Sequence, residues 1–169
     1  MWKFSFFFIL LGLIHAQPDQ QVQQPFNNIL GFSYLRTATY TCDGITNTVK
    51  EYLHQETGIE FVLIPGGTFM MGSPVEEEGR GSSEDQHLVT LSPYLISKTE
   101  VTQEIWERAM HSNPSKFKGA KRPVEQVSWY DCLVFCHKLG LSLPTEAQWE
   151  NACRAGNQKA YYFGNHIND

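Results

Sequence analysis

The chain is short of the features that announce a reaction. Its 169 residues include four cysteines and six histidines. None of them falls into a CxxC or HxxxH spacing, so the common zinc and dithiol patterns are excluded. No D-x-[DN]-x-[DN]-G run is present to build a calcium loop. No nucleophile, base and orienting acid stand in a recognisable order. Charge of one sign is also scarce. A formal net charge of −5 gives no electrostatic case for nucleic acid or an anionic membrane surface as partner. No apolar run reaches the ~20 residues of a comfortable membrane span. There is no internal repeat, and Asn113 is followed by Pro114, which spoils a glycosylation acceptor there. What is present is a globular composition, 41% hydrophobic and 13% aromatic, at a length that suits one domain.

The N-terminus has its own logic. In Met1–Ala16, MWKFSFFFILLGLIHA, one lysine precedes an apolar run from Phe4 to Ile14, and Ala16 is small. That is the layout of a secretory signal peptide, with cleavage expected after Ala16; an uncleaved anchor or a buried segment is the alternative. The mature chain is then exported or secreted, and its cysteines meet an oxidising compartment. Gln17 to Asn28 is polar and Gln-rich with prolines, and reads as a flexible leader. Ile29–Tyr40 suits a strand. Cys42 lies in the turn-rich CDGITNTV, and Thr48–Glu56 reads as a short helix.

Ile59–Pro65 is a continuous apolar run with one charge, which predicts a buried strand. Gly66-Gly67 is a hairpin signal, with Thr68–Gly72 returning as its partner strand. Ser73–Gln86 is a polar loop. His87–Leu91 alternates, with Leu88 and Thr90 on one face and Val89 and Leu91 on the other. Tyr94–Ile96 continues as a strand after Pro93. Thr102 reads as an N-cap, with Val101 and Trp106 placed as its hydrophobic staple. Ile105, Trp106, Ala109 and Met110 share one helical face. His111–Arg122 is a basic loop.

The richest stretch is Pro123–Gly156. Ser128 and Asp131 form a capping box, with Val127 and Cys132 as staple, and Thr145 and Gln148 repeat the device. Pro144 blocks an earlier helix start, and Gly156 suits a left-handed stop. The reading is a helix over about Ser128–Leu139 and another over about Thr145–Ala155, each boundary good to ~2–4 residues.

Each candidate for chemistry has a plainer reading beside it. Cys132 and Cys136 are four apart on a helix; they lack further ligands at metal spacing, and a bridge between them would fight helix geometry. Glu76–Glu78 with Glu84 and Asp85 could hold a hard cation, but a solvated loop is the simpler reading. His87 could act as a base with Glu100 beside it, against a structural role before a strand. Glu146 and Glu150 share a helix face and could do acid–base work, against scaffolding. Trp106, Trp129 and Trp149 read as core anchors. Lys116, Lys118, Lys121 and Arg122 are too few to argue nucleic acid.

Five segments in order carry a resemblance: IEFVLIPGGTFMMGS at Ile59–Ser73, KTEVTQEIWERAM at Lys98–Met110, VSWYDCLVFC at Val127–Cys136, LPTEAQWENACRAG at Leu143–Gly156 and YYFG at Tyr161–Gly164. Together they resemble the formylglycine-generating enzyme family, the sulfatase-modifying-factor domain. The resemblance implies an α+β, loop-rich, C-type-lectin-like fold, of which this chain carries the N-terminal half. The division expected is 1–16 signal peptide, 17–57 leader and weakly matched segment, and 58–169 family domain.

The function implied is oxidation of a cysteine in an unfolded sulfatase to Cα-formylglycine, using dioxygen and copper held by two cysteines. Thiolates are soft ligands that select Cu(I). In the family that pair lies in a segment this chain does not contain, and none of Cys42, Cys132, Cys136 and Cys153 matches its motif. The catalytic segment is therefore expected to be absent, and the chain truncated. The family's calcium ligands likewise lie beyond it. In eukaryotic-type members the positions of Cys136 and Cys153 form disulfides with the C-terminal half, which would make them half-pairs here; two small buried thiols are the alternative. Cys132 stands where the family has alanine and reads as a plain buried thiol. The partner implied is a sulfatase polypeptide. The alternative function is a secreted, non-catalytic lectin-like binding or accessory module. A weaker third is an iron-dependent sulfur oxidation, which would need a separate helical domain.

Overall fold

In the computed structural model, residues 29–159 are described, apart from Asp43 and Glu78. The signal-peptide, leader and YYFG expectations lie outside them. Six strands and three helices follow in order: β1 (Phe32–Cys42), β2 (Ile45–His54), β3 (Glu60–Ile64), β4 (Gly67–Met71), β5 (His87–Leu91), β6 (Tyr94–Ser97), α1 (Gln103–Met110), α2 (Trp129–Lys138) and α3 (Glu146–Arg154). Strands β1-β2-β3-β6 form an antiparallel sheet, and β4-β5 form a second. The fold is α+β.

The expected helix over Thr48–Glu56 is a strand. β2 pairs with β1 on one side and β3 on the other, with Tyr52 opposite both Tyr34 and Phe61. Its Lys, Glu and Leu are good helix formers, yet two neighbouring strands satisfy its backbone and Tyr52 is wholly buried. Tertiary pairing overrides local preference. β1 carries one irregularity between Tyr34 and Arg36, a bulge that places Leu35 out of register.

Gly66-Gly67 is not a hairpin turn. β3 pairs with β6, and β4 pairs with β5. The register does not slip between the two pairs: Ile64 faces Tyr94, and three residues on Gly67 faces Leu91. β3 with β4, and β5 with β6, are thus the two arms of one long hairpin. It is broken where Pro65 and Pro93 remove ladder donors. The arms close there: a Cβ on Gly66 would lie 2.3 Å from the Leu91 carbonyl oxygen and 2.7 Å from Pro93 N. Ser73–Gln86 is the hairpin's tip, a loop drawn shut by Ser73 N–H to Glu84 O at 2.9 Å.

The helices begin where their caps predict. Ser128 Oγ accepts from Asp131 N–H at 3.2 Å while Ser128 N–H donates to Asp131 Oδ2 at 2.8 Å. Thr145 and Gln148 exchange the same pair of bonds. Thr102 occupies the N-cap of α1, but its hydroxyl makes no capping bond. Carbonyls of the following loop serve the first turn instead: Gln103 N–H donates to Arg122 O and Glu104 N–H to Ala120 O. α3 ends with Ala155 at φ 48° and Gly156 at φ 91°, so the left-handed exit starts one residue before the glycine.

The core lies between the larger sheet and the α1–α2 pair. Phe61, Leu95, Val101, Trp106 and Phe135 are buried in it. Trp106 stacks on Phe135 with centroids 4.9 Å apart and planes 9° from parallel. Trp106 is the anchor expected. Trp129 is not: it is 48% exposed, because α2 turns Cys132, Phe135 and Cys136 inward and its first turn outward. Trp149 is half-buried.

His54 closes β2 under the sheet. It is buried, contacts the Phe32 ring at 4.9 Å and shares a 2.9 Å hydrogen bond with Thr57 Oγ1. Burial disfavours its charged form and lowers its pKa, with Glu56 opposing only in part. The unfolded chain therefore takes the proton first, and stability declines as pH falls below about 6.5 toward the folded value. Denaturant unfolding at about pH 7.5 and about pH 5.5 should show the loss, and His54→Asn should reduce it; an equal loss in that variant would contradict this account. Gly66→Ala should cost about 1–3 kcal/mol by backbone overlap, read from the same curves. Gly119→Ala is the control, since the atoms nearest its Cβ belong to the flexible Arg122 side chain and not to backbone.

Candidate functional site

Three buried polar clusters stand out among the described residues, one of them containing the candidate Glu150. The first gathers on β1, β2 and β3 and at Lys98, just after β6. Glu51 is fully buried. Its Oε1 accepts from Lys98 Nζ at 2.9 Å and from the Tyr40 hydroxyl. Its Oε2 lies 2.5 Å from an Arg36 guanidinium nitrogen, out of line for a hydrogen bond. Glu60 joins both cations, at 3.0 Å from Arg36 and 3.1 Å from Lys98. Burial alone would raise the Glu51 carboxyl; Tyr40, Lys98 and Arg36 outweigh it and hold it below the usual range. Lys98 is raised, chiefly by its bond to Glu51. A carboxylate held charged by two cations is a poor general base. Nothing in the sequence joins Arg36, Glu51 and Lys98, which meet only through strand pairing.

The second cluster is organised by Gln103, which is 1% exposed. Its amide donates to Phe117 O at 3.0 Å and Pro123 O at 3.1 Å. Its carbonyl accepts from Asn113 Nδ2 and Gly119 N–H, both at 3.1 Å. Every bonding position of the side chain is used. This residue folds the basic loop against α1, and a lone glutamine in a first helical turn gives no warning of it.

The third joins α3 to the hairpin. Glu150 Oε1 accepts from Gly72 N–H and from Arg154 Nε, both at 2.8 Å. Arg154 donates in turn to Gly72 O at 2.8 Å. The two side chains pair with both backbone groups of one glycine, as a neighbouring strand would. The Tyr94 hydroxyl lies 2.7 Å from Gln148 O and 3.0 Å from Asn151 Oδ1, fixing the same helix to β6. Glu146 is exposed while Glu150 is engaged in this clamp, so the two do not assemble as an acid–base pair and Glu150 serves as scaffold.

The other candidates stand apart. His87 is exposed and its Nδ1 lies 2.8 Å from Asp85 O; no bond among the described residues links it to Glu100. Burial raises the Glu100 carboxyl. In the acidic loop, Arg80 pairs with Asp85 and donates to Ser73 O at 3.0 Å. No group of three or more metal-ligating residues forms among the described residues. Cys132 and Cys136 are free and buried in α2, and Cys153 is free and exposed on α3. Burial, with Asp131 nearby, pushes the Cys132 thiol up to about 11; burial, with Cys132 nearby, pushes Cys136 up to about 12. Burial thus favours the neutral thiol at both, which makes them poor nucleophiles. No helix among the described residues is long and apolar enough to cross a membrane.

Comparison with known proteins places these features. The sequence model of the sulfatase-modifying factor enzyme 1-like domain matches residues 46–169. The chain is 44% identical over 78 residues to the chaperone protein LppX of Paenibacillus barcinonensis, covering 46% of this chain and 25% of that protein. It is 27% identical over 169 aligned positions to the formylglycine-generating enzyme of Thermomonospora curvata, covering 67% of this chain and 55% of the relative. The chain thus spans between a quarter and about half of these relatives' lengths. Among solved structures it is similar to Treponema denticola variable protein 1, with a TM-score of 0.54 and 27% identity over 78% of this chain and 61% of that one. The matched segment begins inside β2 and takes in the hairpin, its clamp to α3 and both capping-box helices; the chain belongs to the sulfatase-modifying factor enzyme 1-like family.

Proposed function

We propose that this protein serves formylglycine-generating chemistry, the oxidation of a sulfatase cysteine to an aldehyde, and that the residues described act as scaffold for it. The family match over residues 46–169 carries the reading, and the formylglycine-generating enzyme of Thermomonospora curvata, at 27% identity, supports it. A sulfatase polypeptide is then the partner. An export signal at residues 1–16 suits a protein that works on secreted targets.

The cofactors implied are copper and calcium, and the described residues do not fit either. Copper in this chemistry needs an accessible thiolate pair. Cys132 and Cys136 are near each other but buried and held protonated. Cys153 is on a different helix. Calcium needs converging oxygens, and Arg80 already occupies Asp85 and Ser73 O. The reacting groups belong outside residues 29–159.

The test expresses the complete product of the gene beside a sulfatase, in a host without formylglycine-generating activity. Mass spectrometry then reads the sulfatase peptide. An aldehyde at the target cysteine is expected, and Cys132→Ala with Cys136→Ala should leave it in place. No aldehyde would contradict the function. Loss of aldehyde from a variant that still folds would contradict the scaffold role of α2.

A further inference from the structure

α2 buries one face and presents another. Trp129, Tyr130 and Val134 are 48%, 74% and 49% exposed. The two rings meet edge-on, with centroids 5.1 Å apart and planes at 79°. A surface helix normally turns charged residues to water, and exposed Trp and Tyr together mark interaction surfaces.

Phe117, 62% exposed, lies at the same end of the helix pair. α1 and α2 advance together: Trp106 stacks on Phe135, and one turn later Lys138 Nζ donates to Ala109 O. The start of α1 is therefore beside the start of α2, and there Gln103 holds the Phe117 carbonyl. The Phe117 N–H donates to Glu125 Oε1 at 2.8 Å, on the chain that leads into α2. Gln103 fixes this loop through four hydrogen bonds, so the surface is preorganised.

The rim is basic. The loop from His111 to Arg122 carries Lys116, Lys118, Lys121 and Arg122 and no acid. Glu104 neutralises Lys121 at 2.6 Å. The nearby carboxylates Glu125 and Asp131 accept from backbone N–H groups and keep their charge, so the positive edge is the 111–122 loop itself and not the start of α2. Lys118 donates to the Asn113 carbonyl at 2.6 Å and Lys116 sits 5.6 Å over the Phe117 ring, so neither loses its charge. This positive edge stands on a chain of net charge −5.

The geometry points to a docking surface, on the start of α2 and the 111–122 loop, for an acidic polypeptide segment that carries an apolar anchor. Its apolar side chain covers Trp129, Tyr130 and Phe117. Its carboxylates meet Lys116, Lys118 and Arg122. Near-perpendicular rings give no flat platform for a sugar or a base, and Val134 adds aliphatic surface that favours a polypeptide. The assignment does not depend on formylglycine chemistry.

The test uses the full chain and a fluorescein-labelled synthetic peptide of glutamates around a central leucine pair. Fluorescence anisotropy should give saturable binding that weakens with added salt. Tyr130→Ser, and Lys116→Glu with Lys118→Glu, should each weaken it by about tenfold or more, with unfolding curves unchanged. A peptide with glutamine for glutamate should lose as much. Leu88→Ser, at an exposed apolar residue on β5, should change nothing. Absence of saturable binding, or equal binding by all variants, overturns the proposal. So does tighter binding of an anionic polysaccharide, or a self-association in sedimentation that the same variants abolish.

Discussion

The pairing of Glu150 and Arg154 with the backbone of Gly72 is the joint on which the arrangement of α3 rests. Both side chains are buried, and each meets the other and the glycine backbone. Gly72 can accept the arrangement because it has no side chain: a Cβ there would come within 2.8 Å of the Glu84 and Asp85 carbonyls. The joint fixes where the hairpin arm ends and the acidic loop begins. With Tyr94 holding the same helix from β6, α3 is tied to both sheets.

Two other buried polar side chains also tie separate segments together. Glu51 cross-links three strands through two cations, and Gln103 folds a loop onto a helix start. Both are directed onto the protein itself, with Glu51 Oε2 held against Arg36 without a hydrogen bond. The cysteines agree with this: burial keeps two of them protonated. These described residues thus serve the architecture of the fold.

What was legible in the sequence was local. The capping boxes at Ser128 and Thr145 need only four residues each to declare themselves, and both helices start where those residues place them. The apolar run at β3 and the alternation at β5 were equally readable: no residue of β3 is exposed, while β5 covers only Val89 and Leu91. The misreadings came from long-range contacts. β2 holds helix-forming residues but is trapped between two strands. Gly66-Gly67 looks like a turn but is a kink forced by two prolines, Pro65 and Pro93, that sit far apart in sequence. Trp129 carries a large apolar ring, yet the phase of α2 puts it outside. The Glu51 and Gln103 clusters had no signature, because their partners are brought together only by the fold.

The central claim, that buried charge here holds the architecture together, is tested most directly by a double-mutant cycle at Glu150 and Arg154, read by denaturant unfolding. Glu150→Ala removes the carboxylate beside a buried guanidinium and should cost about 3–5 kcal/mol. Arg154→Ala should also be costly, and the double variant should lose less than the two single losses combined, by at least about 1 kcal/mol. Single variants that unfold like the parent, or losses that simply add, would contradict the claim.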